Sequence, residues 1–151
     1  MGRTVTPPRE IAAALRALFG DGVEHVRIIE HSRFARLHVC AVATTRRRCI
    51  YLRGSAEDFF ADPVLMLHEY CHVLKQWEPG TLTRLRYILE WLKHGYWENR
   101  FEVEARAFAR EHLHRFRALL QAQASAEQRL SVVEPSRQKG QSAACQYGDT
   151  H

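Results

Sequence analysis

Apolar residues at helical spacing, with capping residues before them, predict four helices in this chain. The clearest start is Asp62-Pro63, where a capping residue is followed by proline at the first helical position. The predicted helices cover residues 9–19, 62–77, 81–95 and 99–124. The third carries a stripe of four leucines that we expect to be buried, namely Leu82, Leu85, Leu89 and Leu92.

Three shorter stretches have the pattern of β-strands. The predicted strands are residues 26–29, 37–44 and 49–53, with a turn at 45–48. This pattern predicts an α+β fold, in which a small three-stranded, mostly antiparallel sheet packs against the second helix and two or three others. We expect one domain over residues 1–124 and a polar, disordered tail over residues 125–151, where the helical periodicity is lost.

The composition of the 151 residues is that of an ordinary globular domain, with 46% hydrophobic and 26% charged residues. Apolar runs such as residues 64–67 are short, far from the roughly 20 residues that a transmembrane helix needs. Arg9 and Arg16 interrupt the first helix, which therefore does not resemble a signal peptide. The four cysteines have no CxxC spacing, so we expect reduced thiols. Together these observations predict a cytoplasmic protein with no membrane partner.

Basic residues exceed acidic residues by 22 to 17, and the densest cluster is Arg46-Arg47-Arg48. Charges after residue 124 cancel, so the excess of +5 lies on residues 1–124. Guanidinium groups suit phosphate or carboxylate partners. The cluster has two interpretations, a weak nucleic-acid contact or a solvated basic surface, and the pattern leaves the oligomeric state open.

The second predicted helix contains His68-Glu69-Tyr70-Cys71-His72, which is an HExxH sequence. Two histidines four residues apart lie on one helix face, about 6 Å from each other, so both can bind one zinc ion. Glu69 lies about 100° around the helix, where it can take a proton from a water molecule at the metal. A catalytic zinc ion needs three protein ligands and an open position for that water.

Six downstream residues are candidates for the third ligand: Glu90, His94, Glu98, Glu102, Glu104 and His112. On a helical wheel Glu102 lies about 50° from the centre of the apolar stripe of the fourth helix, and Glu104 lies about 110° away. We therefore expect Glu102 to face the domain and Glu104 to face water. His112 is about 15 Å further along the helix and is interpreted as a core histidine. Asn99-x-x-Glu102 also has the form of a capping box, in which Glu102 would only cap its own helix.

The motifs His68-Glu69-x-x-His72 and Glu102-x-x-Ala105 resemble the HExxH…ExxA arrangement of gluzincin metallopeptidases. The chain is most similar to the compact ImmA/IrrE-like proteins and to small zinc peptidase domains associated with phages and toxins. The resemblance covers about residues 35–110 and implies that Glu102 is the third zinc ligand. In that family the residue after the alanine is often Asp or Asn, and it contacts a zinc-bound histidine. This chain has Arg106 there, which leaves that contact unassigned.

These residues predict zinc-dependent hydrolysis of peptide bonds, with His68, His72 and Glu102 as the zinc ligands. Glu69 would act as the general base on the water that zinc binds. The alternative is a non-catalytic, zinc-containing basic module that docks on nucleic acid or on a phage or toxin particle. Glu69 favours the enzyme, because a structural zinc site does not need such a residue.

Two further features of a peptidase site have candidates in the sequence. The oxyanion that forms during hydrolysis could be stabilised by Tyr96, His94 or Arg100, and the sequence does not choose among them. An extended protein or peptide substrate could pair with the predicted strand at residues 49–53, provided that this strand has a free edge.

Overall fold

The computed structural model describes residues 2–36 and 43–133, which form an α+β fold. Most of the strand predicted at residues 37–44 lies outside the described residues. The strands are β1 (Arg3–Val5), β2 (Arg27–Glu30), β3 (Ala43–Arg46) and β4 (Cys49–Leu52). The helices are α1 (Arg9–Phe19), α2 (Arg33–Arg36), α3 (Ala56–Ala61), α4 (Pro63–Cys71), α5 (Arg84–His94) and α6 (Arg100–Val133), with a 3₁₀ turn at Asp21–His25. No helix in the described ranges is long and apolar enough to cross a membrane.

The four strands form one mixed sheet in the order β1-β2-β4-β3. The outer pairs, β1–β2 and β3–β4, are antiparallel, whereas β2 and β4 run parallel. The α+β class is confirmed, and two of the three strand pairings are antiparallel, but the sheet has four strands rather than the predicted three, and its central pairing is parallel. Three residues in β1 are too few to show an alternating pattern, and the parallel pairing joins strands that are not adjacent in sequence.

The β3–β4 hairpin has a two-residue turn at Arg47-Arg48, shorter than the turn predicted at residues 45–48. Arg46 pairs with Cys49 across it. Arg48 has a φ of 58°, in the left-handed region that residues other than glycine rarely adopt. This register makes β4 a central strand and places β3 at the edge of the sheet, so the substrate edge predicted at residues 49–53 is wrong.

The HExxH helix begins where the sequence predicts. Asp62 caps it by accepting hydrogen bonds from two backbone N–H groups of the first turn, both at 3.0 Å, and Pro63 follows at the first helical position. Beyond α4 the chain continues as a π-helical turn over His72–Trp77. Wide turns of this kind are frequent at functional sites, and this one carries the buried side chain of Gln76.

The third predicted helix is present as α5, but its leucine stripe is not buried. Leu82 is buried and precedes the helix, whereas the other three leucines are exposed. Their exposed fractions are 68% for Leu85, 46% for Leu89 and 67% for Leu92. The periodicity correctly predicts an amphipathic helix. The leucine side of this helix faces solvent instead of the domain, because Tyr87 on the opposite side contacts Phe101 and Glu102.

The last helix, α6, continues to Val133 rather than ending near Ala124. Residues 125–133 lack an apolar stripe but are rich in good helix formers, so they extend the helix without periodicity. The remainder of the predicted tail, residues 134–151, lies outside the described residues.

The hydrophobic core lies between the sheet and the helices α1, α4 and α6. Its largest fully buried apolar side chains are Leu15, Ile28, Ile50, Met66, Leu67, Tyr70, Val73 and Phe116. Within this core α4 packs along α6. That contact brings the HExxH motif beside the first turn of α6, which carries Glu102.

Candidate metal centre

The three predicted ligands lie together where α4 meets α6. The Nε2 atom of His68 is 3.1 Å from Glu102 Oε2 and 3.0 Å from His72 Nε2. His72 Nε2 is 3.6 Å from Glu102 Oε1. Donor atoms that surround a tetrahedral zinc ion at about 2.05 Å lie about 3.3 Å from one another. The donors therefore have both the spacing and the chemistry, two imidazoles and one carboxylate, that suit zinc.

Glu102 reaches this position because it lies on the inward face of α6, next to buried Phe101. It does not act as a capping-box residue. Asn99 caps α6 with its own side chain, and its backbone N–H donates to the carbonyl oxygen of Tyr96. The carboxylate of Glu102 contacts histidines instead. Burial alone would raise the pKa of Glu102, but hydrogen bonds with His68 and His72 hold it well below its usual range. Glu102 is therefore ionised, as a metal ligand must be.

Glu69 is buried beside the triad, and burial raises the pKa of its carboxyl group despite the opposing effect of His72 and His68. A carboxylate with a raised pKa binds a proton more readily and is a better general base near neutral pH. The position and electrostatics of Glu69 thus suit proton transfer.

Sequence reasoning missed Gln76, which holds one of the histidines. The Nδ1 atom of His72 lies 2.7 Å from Gln76 Oε1. The Gln76 amide N–H₂ in turn donates to the carbonyl oxygen of Phe101 at 3.0 Å and to Glu104 Oε2 at 2.9 Å. Gln76 follows His72 by four residues, and this spacing on one helix is the signal that could have identified it. Glu104 is exposed, as predicted, yet its carboxylate belongs to this network.

Tyr87 is a second missed residue, and its hydroxyl donates to Glu102 Oε1 at 2.8 Å. No local motif marks it, because it reaches the site from α5. Among the residues that the structure describes, Arg106, at the position where the family often has Asp or Asn, contacts Trp97 rather than a histidine. It donates to the carbonyl oxygen of Trp97 and lies over the Trp97 ring. Gln76 supplies the contact to the histidine that Arg106 cannot supply.

Of the three oxyanion candidates, the structure brings only Tyr96 to the site. Tyr96 lines the same cavity as His68 and Glu69. His94 and Arg100 lie within 4.0 Å and 3.9 Å of Glu90, away from the triad. Burial, together with the nearby Glu102 carboxylate, raises the pKa of Tyr96 to about 12. The hydroxyl therefore keeps its proton at neutral pH and can donate it in a hydrogen bond.

A cavity of about 280 Å³ opens at the triad between β3 and α5. All four residues of β3 line it, from Ala43 to Arg46. Its other walls are largely apolar and aromatic, formed by Phe34, Trp77, Leu82, Tyr87 and Ile88. In the described part of the chain β3 pairs with a strand on one side only. The cavity therefore joins the candidate metal centre to an open sheet edge.

The arginine cluster is partly engaged within the domain. The guanidinium of Arg48 binds Glu78 at 2.7 Å, and that of Arg46 lies 4.3 Å from the centre of the Phe34 ring. These contacts account for two of the three arginines without a partner molecule. Nucleic-acid binding by Arg46, Arg47 and Arg48 stays a prediction.

Comparison with known proteins identifies no relative. No family model matches this chain, and no curated protein or solved structure is significantly similar to it. The resemblance to gluzincins therefore rests on the motif residues and on their geometry.

Proposed function

We propose that this protein is a small zinc-dependent peptidase of the gluzincin kind. The observation that carries the proposal is that one donor atom from each of His68, His72 and Glu102 lies within 4.8 Å of the other two. Two further observations support it, namely buried Glu69 beside the donors and the cavity in which they lie. Cys71 does not join this group; it is buried, and burial raises the pKa of its thiol to about 12. Within residues 2–36 and 43–133 the group has three protein ligands, which leaves a position open, as a catalytic zinc site requires.

The proposed roles follow from where each side chain lies. When bound, zinc would supply the positive charge that acidifies a water molecule and polarises the substrate carbonyl. Glu69 accepts the proton of the attacking water and passes it to the leaving amine. The hydroxyl of Tyr96 donates to the carbonyl oxygen as negative charge develops on it. Gln76 and Tyr87 orient His72 and Glu102.

The proposed substrate is an extended segment of a protein or peptide. Such a segment can pair with β3 by main-chain hydrogen bonds, and this pairing would hold its backbone alongside the triad. The apolar walls of the cavity favour a large hydrophobic side chain next to the cleaved bond.

Zinc content and hydrolysis of an unfolded protein such as casein test the proposal together. We expect about one zinc ion per chain and cleavage that a chelator abolishes. Glu69→Gln should keep zinc and the fold but lose at least about a hundredfold in kcat/KM, because it removes only the proton acceptor. The matched control is Glu57→Gln, an exposed glutamate on α3, which should cleave normally. Full activity in Glu69→Gln, or a chain that takes up no zinc, would reject the proposal.

A further inference from the structure

Helix α5 presents an unusually apolar surface to solvent. None of the residues of α5 is buried, although Arg84, Tyr87 and Ile88 also line the cavity at the triad. Five large apolar side chains on α5, each at least 46% exposed, are Leu85, Ile88, Leu89, Trp91 and Leu92. Together they expose several hundred Å², a patch size that marks interaction sites in soluble proteins. We call these five residues the α5 face.

The charges around the α5 face have one sign. At 100° per residue the face spans about 160° of the helix, and Arg86 and Lys93 lie about 40–60° beyond its edge. Arg84 lies at the N-terminal end of the face, and all three basic residues are exposed. Glu90 is the one acidic residue of α5, and it points towards Arg100 of its own domain, 3.9 Å away.

These features favour an anionic lipid surface over a second copy of the chain. Pairing two α5 faces would bring basic residues together with no free carboxylate on either helix. Leu, Ile and Trp on one face with Lys and Arg at its border are the composition of helices that lie in a membrane interface. Long basic side chains at that border can reach lipid phosphates while the apolar residues insert.

We propose that α5 docks on the surface of an anionic lipid bilayer, with the α5 face inserted and Arg84, Arg86 and Lys93 at the headgroups. This docking is peripheral, and it agrees with the absence of a spanning helix in the described ranges. It replaces the expectation of no membrane partner, which considered only spanning segments. The proposal does not depend on metal binding or peptidase activity.

Co-sedimentation of the full chain with lipid vesicles tests this docking. We expect binding to vesicles of equal parts phosphatidylglycerol and phosphatidylcholine, and at least about tenfold weaker binding to phosphatidylcholine alone. Salt should weaken the binding. The tryptophan emission should shift to shorter wavelength in the presence of anionic vesicles, because Trp91 enters an apolar environment.

Two variants separate the apolar contribution from the electrostatic one. Leu85→Gln combined with Leu92→Gln should reduce binding by at least about tenfold, since the leucines no longer insert. Val103→Gln is the control, because Val103 is 44% exposed but lies on α6. Arg84→Gln combined with Lys93→Gln should bring binding to anionic vesicles close to the level for neutral vesicles.

Three outcomes would overturn the proposal. The first is no binding to either vesicle, and the second is equal binding by the wild type and the leucine variant. The third is a dimer, detected by sedimentation velocity, that the leucine variant converts to a monomer, because a second copy would then cover the α5 face. Circular dichroism of each variant confirms that the fold is retained.

Discussion

Gln76 joins a candidate zinc ligand to α6, and its replacement should weaken metal binding. Its Oε1 accepts from His72 Nδ1 at 2.7 Å, and its Nε2 donates to the Phe101 carbonyl at 3.0 Å and to Glu104 at 2.9 Å. When Nδ1 of His72 carries the proton, its Nε2 is unprotonated and can bind the metal together with His68 and Glu102. Gln76 is only 2% exposed, so no water can take over these contacts without entering the core.

The perturbation is Gln76→Met, which preserves the length of the side chain and removes both hydrogen-bonding groups. Loss of a partner that orients a ligating histidine typically lowers metal affinity by about 10–100-fold, or about 1.4–2.7 kcal/mol. Two buried groups, His72 Nδ1–H and the Phe101 carbonyl, lose their partners at about 1–3 kcal/mol each. The exposed carboxylate of Glu104 can turn to water. We therefore expect the metal-free variant to be about 2–6 kcal/mol less stable.

Zinc affinity is measured by competition with a chromophoric chelator, and stability by urea unfolding with excess chelator. The control is the pair Gln76→Glu and Glu104→Gln. Gln76→Glu alone keeps an acceptor for His72, but it places the new carboxylate next to that of Glu104, and the two repel. Adding Glu104→Gln to the same chain replaces one of these carboxylates by an amide, which can donate a hydrogen bond to the other. The double variant should therefore bind zinc more tightly than Gln76→Glu alone. Unchanged zinc affinity in Gln76→Met would refute the reasoning.

Four other substitutions have distinct expected outcomes. Tyr96→Phe should retain zinc and lower kcat by about a hundredfold, measured on the best peptide substrate, because it removes one donor to the oxyanion. Glu102→Ala should lose most of the bound zinc and lower Tm, whereas Glu104→Ala should keep its zinc stoichiometry; the reverse pattern would show that the site is drawn wrongly. Glu30 accepts from the backbone N–H of Ala56 and from Arg3, and these contacts lower its pKa. Because the pKa of Glu30 is lower in the folded state, its ionised form stabilises the fold at any pH above the unfolded-state pKa of about 4.3. This stabilisation is lost as the pH falls through the folded-state pKa. Glu30→Gln should therefore unfold at lower urea than wild type at neutral pH, and the difference should shrink as the pH is lowered below the unfolded value. If Glu30→Gln remains less stable than wild type in acid, the ionised carboxylate of Glu30 is not the cause of the difference in stability.

The parts of the site that were predictable are those encoded by spacing along one helix. HExxH fixes two imidazoles on one face of α4, and the phase of α6 places Glu102 inward and Glu104 outward, as observed. Tyr87 was not predictable, because its contact with Glu102 depends on how α5 packs across α6. Gln76 follows His72 by four residues, a spacing that could have indicated it, but the sequence does not predict the π-helical turn that carries it.

Periodicity also failed to show which side of α5 the domain covers. A stripe of leucines marks an amphipathic helix, but its partner is decided by packing of the whole chain. In this fold Tyr87 contacts the domain and the leucines face outward. Periodicity likewise could not predict the pairing between β2 and β4, because this pairing depends on long-range contacts.

The edge of β3 that is unpaired within the described residues can promote aggregation as well as substrate binding. A strand that can accept a substrate can also accept a strand from another molecule, which is a common route to aggregation. Arg46 and Arg47 lie at the end of this edge, and a parallel pairing of two copies there would bring their guanidinium groups together. Repulsion between these like charges would oppose that pairing. Neutral residues at both positions should leave the fold intact while the protein slowly forms insoluble β-rich aggregates.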